Sequence, residues 1–291
     1  MLLRSGISII AFLRLIRWEI VAFTSYAVLI GILDHYSFLR VLSIPLGVTA
    51  VIGTAVSLLL GFRTAQAYER WWEARIIWGA IVNDSRTFIR QLQQFMPSTP
   101  QNNQLIQEFS HRQIIWCYAL GESLRGVDFS HRVLDYIQSN HINESNIPNA
   151  ILNRHNQAIA EIGLTEFKQV QVDTTLGRIN DSMGKCERIN NTVFPQSYSL
   201  LVHFLIYVFA TMLPFGLDDN YILIEISITA IIPLIFISLE KTAILLQDPF
   251  ENQPMDTPVT KLAQTIEINL KEMTGVKDVP VIEKPESYYI M

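Results

Sequence analysis

Long apolar runs alternate with polar stretches along the 291 residues. Val41 to Phe62 is 22 residues without a charge. At 1.5 Å per residue such a helix reaches about 33 Å, the thickness of a bilayer core. Gln196 to Leu217 is a second run of this kind, with His203 as its only ionisable group, and Tyr221 to Leu239 is a third, with Glu225 near one end. Ile20 to Leu33 is shorter, and its 14 residues reach only about 21 Å. Spanning there requires Arg17 and Glu19 to snorkel at one end and Tyr36 to sit at the other interface. A buried helix is the competing reading, but an even number of spans suits the charges better.

Those charges orient the chain. Arg4, Arg14 and Arg17 precede the first run; Arg63, Arg70, Arg75, Arg86 and Arg90 follow the second; Lys241 follows the fourth. The two remaining connections, Asp34 to Arg40 and Asp218 to Asn220, hold a single basic residue, Arg40. Positive residues favour the cytoplasmic side, so both termini and the middle of the chain are expected there. The early arginines also break the pattern of a cleavable leader.

Between Arg63 and Phe194 the sequence is too polar to span. "EFSHRQIIWCYALGESL" and "TEFKQVQVDTTLGRINDSMGKCERI" place apolar residues at helical spacing. "SNHINESNIPN" between them reads as a loop. After Asp248 the tail is rich in Pro, Asp and Asn, then carries one amphipathic helix near "TKLAQTIEINLKEM". No strand pattern of useful length stands out. The expected architecture is therefore all-α. Residues 1–62 form an N-terminal arm and spans one and two. Residues 63–194 form a cytosolic helical region, 195–239 spans three and four, and 240–291 a cytosolic C-terminal segment.

Composition removes several function classes. Only 17% of residues are charged and the net charge is −5, so no nucleic-acid partner is expected. Cys117 and Cys186 form no CxxC pair and read as buried free thiols. No P-loop, dinucleotide glycine pattern or nucleophile–His–Asp grouping is present.

Four constellations carry possible chemistry. Thr54, Leu58 and Phe62 lie one turn apart on a helix rich in small residues. They fit a narrow apolar constriction that gates by dewetting, although spacing alone fits an ordinary helix contact better. "LGFRTAQAYERWWEARIIWG" continues that helix, with Tyr68, Trp71, Arg75 and Trp78 on one face. Interfacial anchoring and helix-to-helix ion pairs explain such residues more simply than ion binding does. Glu108 and His111 form one Glu-x-x-His pair, where a di-iron bundle needs two such pairs and further carboxylates. Asp248, Glu251 and Asp256 cluster past the fourth run, but without calcium-loop spacing a capping role fits better. His203 reads as a hydrogen-bonded packing residue and Glu225 as an interfacial carboxylate.

Two of these stretches also resemble a known family. "LGFRTAQAYERWWEARIIWG", with Arg63, Tyr68, Arg70, Trp71, Trp72 and Arg75, closely resembles the signature of the bestrophins, in the YneE-like form found in bacteria. "DPFENQPMDTPV", with Asp248, Pro249, Phe250 and Asp256, resembles the family's second signature, though Glu251 replaces the usual glycine. The resemblance implies a homopentameric ion channel with one pore on the five-fold axis. Each subunit supplies four transmembrane helices and a helical cytosolic domain. It implies a neck at Thr54, Leu58 and Phe62; most relatives are apolar at all three, and Thr54 is expected to ease wetting. It further implies a cytosolic aperture, assigned to Val170 by counting back along the helix that ends near Cys186. The run "ENQPMD" is mostly not acidic, so no strong calcium activation is expected.

The expected function is passive conduction of monovalent anions such as chloride across a bacterial inner membrane. Lipids, the permeant ions and further copies of the chain are the partners, and no cofactor or metal is called for. Asp218 and Asp219 at the outer mouth would concentrate cations, which keeps a sodium or potassium channel on the same fold as the alternative. A non-conducting membrane scaffold or metal-binding protein is the rival of a different class.

Overall fold

The computed structural model describes residues 9–36, 43–217 and 221–280. Regular structure there is helical: α1 (Ile9–Leu15), α2 (Arg17–Tyr36), α3 (Leu46–Phe95), α4 (Pro100–Leu124), α5 (His131–Ser139), α6 (Ile147–Glu161), α7 (Glu166–Asn191), α8 (Gln196–Met212), α9 (Ile222–Gln247) and α10 (Val259–Met273). A short 3₁₀ turn, Pro214–Gly216, follows α8. The 50 residues of α3 contain no proline, so no missing amide breaks its hydrogen-bond ladder over about 75 Å of helix length. Two described helices, α3 and α9, are long and apolar enough to cross a membrane, and a third candidate arises if α8 is joined with α7. The weakest expected span, Ile20–Leu33, lies inside the 20-residue α2.

The contacts divide the chain into two compact units, one built on Ser5–Arg70 and Val193–Gln247, the other on Trp71–Thr192 and Asp248–Met291. In the first unit α2 and α8 pack on α9. Phe23, Val56, Leu60, Val202, Ile206, Phe209 and Ile237 form its small core. A Cβ at Gly53 would stand 2.8 Å from the Phe209 ring, so glycine permits this close approach. Many large apolar side chains, among them Val51, Leu200 and Leu223, point outward. Such an apolar exterior suits lipid or neighbouring copies rather than water.

The second unit is built as a water-soluble domain is. The later part of α3 contributes Trp78, Ile81, Phe88, Ile89 and Leu92 to one core with Phe109 and Trp116 of α4, Ile151 of α6, Ile179 of α7 and Ile266 of α10. Two helix starts, those of α4 and α6, are capped by side chains. The Thr99 side chain accepts from the Asn102 amide before Pro100, and Asn146 accepts from the Asn149 amide before Pro148. Gly275, at φ 69°, closes α10, with the Val276 amide donating to the Lys271 carbonyl. His155 is fully buried between Phe88 and Phe109. Burial, and secondarily Arg112, hold its pKa well below the usual imidazole value.

Three details depart from sequence expectation. The loop read over 139–149 is shorter, because Ile147–Asn149 already belong to α6. The fourth run continues beyond Leu239 as helix to Gln247. Glu225, expected at the interface, is buried inside the helix packing, as is Asp34.

Candidate functional site

On α3 the buried positions Val56, Leu60, Arg63, Ala67, Ala74 and Trp78 trace one side. At about 100° per residue, Thr54, Leu58 and Phe62 lie opposite. Leu58 is 60% and Phe62 58% exposed. Ala65, Glu69, Trp72 and Ile76 continue the same exposed stripe. Large apolar side chains held away from their own unit's core are available to face another surface. Thr54 is exposed, but its hydroxyl donates to the Ala50 carbonyl at 2.8 Å. That bond uses the only proton of the hydroxyl, so Thr54 offers an outside ligand acceptor capacity alone.

Behind Phe62, Arg63 turns fully inward. Its Nη1 donates to Glu240 Oε1 at 2.8 Å, with side-chain exposures of 1% and 0%. His203 Nδ1 meets the same oxygen at 2.7 Å. The guanidinium also sits 5.4 Å from the Phe194 ring centroid. Arg63 is thus a buried anchor with no face toward the surface. Glu240 went unnoticed in sequence reading because it stands one residue past the apolar run. An ionisable group at the end of such a run is the signal that identifies it.

Tyr68, Trp71, Arg75 and Trp78 share a helix side but not an environment. Trp78 is fully buried, Tyr68 exposed, and Trp71 and Arg75 half-buried. Trp71 Nε1 donates to the Met255 carbonyl at 2.8 Å, which ties it to the second signature segment. Trp72, 6.1 Å from Trp71 ring to ring, is exposed. Arg70 is half-buried. The turn after Asp248 buries Pro249 and Phe250. The Thr257 amide donates to the Pro249 carbonyl at 3.1 Å. Asp256 accepts from the Gln253 amide at 3.0 Å. Burial nevertheless lifts its carboxyl to about 6. No group of three or more His, Cys, Asp or Glu suited to a metal occurs among the described residues. Glu108 instead accepts from Gln104, while the His111 ring lies tilted at 50° to that of Tyr136. Burial pulls the His111 pKa below its ordinary value. Cys117 and Cys186 are buried free thiols, each pushed up to about 12 by burial.

On α7, Val170 is 65% exposed and lines a groove of about 410 Å³ with Asn156, Glu166 and Asp173. Phe167, one turn earlier on the same side, is 90% exposed. A phenylalanine at the first turn of a polar helix, away from the stripe that packs, was the signal for it. Asp218 and Asp219 lie outside the described residues.

A family model described as "Bacterial/Fungal Bestrophin protein" matches residues 8–272. The chain belongs to this bestrophin family. The voltage-dependent anion channel-forming protein YneE of Escherichia coli (strain K12) is 29% identical over 248 residues, covering 82% of this chain and 80% of that protein. Its Salmonella typhi namesake is 29% identical over 273 residues, covering 91% and 88%. The crystal structure of a bacterial bestrophin homolog from Klebsiella pneumoniae superposes with a TM-score of 0.81 at 25% identity, covering 89% of this chain and 98% of that one. The all-α fold and the membrane-protein character of this bestrophin follow.

Proposed function

We propose that this bestrophin is a homopentameric channel that conducts monovalent anions such as chloride passively across a bacterial inner membrane, without catalysis. The observation that carries the proposal is the outward display of Leu58 and Phe62 on the side of α3 opposite its packing. Five copies of Thr54, Leu58 and Phe62 around an axis form an apolar neck that water and ions cross only when it widens. α2, α3, α8 and α9 supply four spans per subunit, with both termini cytoplasmic. The names of the relatives support an anion as the permeant species. Val170 forms the cytosolic aperture, and Phe167 on the same side narrows the same opening. Asp218 and Asp219 border the outer mouth.

The deciding experiment is the reversal potential of purified protein in a planar bilayer under a potassium chloride gradient. A value near the chloride potential supports the proposal. A value near the potassium potential assigns the cation reading that the acidic outer connection favours. Calcium chelation is expected to leave open probability unchanged. A monomer in detergent without current would instead support the scaffold reading. Val170→Ala and Phe167→Ala, compared singly, rank the two candidates for the aperture by their effect on single-channel current.

A further inference from the structure

The neck residue Phe62 is followed at once by Arg63, whose side chain is clamped in the interior. One carboxylate oxygen, Glu240 Oε1, serves two donors from two helices: Arg63 Nη1 of α3 at 2.8 Å and His203 Nδ1 of α8 at 2.7 Å. Arg63 Nε and Glu240 Oε2 are buried and find no hydrogen-bond partner among the described residues. The arginine therefore depends on a single shared oxygen for its carboxylate contact.

The charges near this oxygen balance only while His203 is neutral. Arg63 pairs with Glu240, and Lys241 of α9 pairs with Glu19 of α2 at 3.0 Å. Glu19 also lies within electrostatic reach of His203. On α8 itself Tyr207 stacks near the imidazole, at 6.3 Å between ring centroids. A proton on His203 adds a cation beside the same oxygen that holds Arg63. The two positive groups then repel each other and compete for one acceptor, in surroundings that screen them poorly. Glu240 is 0% exposed, whereas the His203 side chain is 36% exposed on its unit, so the histidine is the member of the pair open to its surroundings. Imidazoles change charge between about pH 5 and 8.

We propose that Glu240 and His203 are positioning residues for the neck, and that proton binding at His203 loosens the hold on Arg63 and increases conduction. This rests on the reading that Phe62 lines the neck. Freed of its clamp, the α3 turn carrying Phe62 fluctuates more widely, and the apolar constriction wets more often.

The test is current through purified protein in planar bilayers, in symmetrical chloride, as both baths pass from about pH 8 to about pH 5.5. A several-fold rise with a single midpoint is expected in the unaltered chain. His203→Gln, which keeps a donor but cannot charge, is expected to hold the alkaline current throughout. His203→Lys, charged throughout, is expected to hold the acid current. Either variant suffices should the other fail to fold. A flat response in the unaltered chain, or a response that survives in either variant, overturns the proposal. The Leu58→Ala, Phe62→Ala double variant separates the two readings. If it leaves conductance unchanged, the neck assignment fails. If it raises conductance while the pH response is flat, only the proton latch fails.

Discussion

Phe62 and Phe88 stand on the same unbroken helix and meet opposite surroundings. Phe62 is more than half exposed, whereas Phe88 is fully buried, edge-on to Phe109 at 5.8 Å and to His155 at 4.9 Å. Around Phe62 the interior side of α3 holds an ion pair, Arg63 with Glu240. Around Phe88 it holds rings and aliphatic chains. Ion pairs differ in the same way. The Arg63–Glu240 pair is withdrawn from solvent, but Arg188–Glu73, at 2.6 Å, keeps side-chain exposures of 63% and 45%. Residue type alone therefore does not tell what a position does. Phenylalanine stabilises the fold in one part of α3 and stands outside its unit's core in the other.

Substitutions at these positions test that contrast. Leu58→Ala with Phe62→Ala is expected to raise single-channel conductance several-fold and to leave helix content unchanged. An unaltered current removes both residues from the neck. Phe88→Ala is expected to cost about 3–5 kcal/mol of stability, read by thermal unfolding in detergent. The surviving channels should keep normal conductance; a loss below about 1 kcal/mol would show that Phe88 is not a core residue.

Asp256 comes next in size. Its carboxyl is raised from 3.8 to about 6 in the folded chain, first by desolvation. A raised carboxyl favours the folded state only while protonated, so its contribution falls as pH rises from about 4 to about 6 and stays lost above. Asp256→Asn is expected to remove that slope and to gain roughly 2 kcal/mol relative to the unaltered chain between those limits. Parallel stability curves for the two proteins would refute it. The smallest effect belongs to Arg188→Ala, less than about 1 kcal/mol because the pair is solvated. Added salt should shrink the difference further, and a salt-independent loss would point to packing instead.

Much of this was readable from local pattern. A charge-free run marks α3, and a run whose single charge, Glu225, stands near one end marks α9, because burial in lipid penalises charge; the 3.6-residue period marks α4, α7 and α10 because each buries one stripe. The stripe of Thr54, Leu58 and Phe62, proposed to form the neck, was readable as a geometric fact, one turn apart, but its exposure was not. Spacing reports which side chains share a side, never what that side meets. Tyr68, Arg75 and Trp78 illustrate the point, with one side of the helix and three degrees of burial. The start of α6 was missed although Asn146 and Pro148 announce it as cap and first turn. The clamp on Arg63 was out of reach for another reason. Its partner Glu240 is 177 residues away, and no local period carries information over that distance.

The division of the chain into its two units falls within α3, between Arg70 and Trp71, rather than at a linker. Insertions and deletions are therefore tolerated differently there from substitutions. Removing one residue between Arg63 and Trp71 would turn everything downstream by about 100°. Ala74, Trp78 and Ile81 would turn as one with the core they pack in, so the strain would fall where the chain crosses between the units again, at Thr192–Val193 and at Gln247–Asp248. A linker absorbs a change in length, but this segment has none. The stretch is held in its count by the helix and in its letters at Arg63 and Trp71, and neither unit is transferable as a cassette cut at this point.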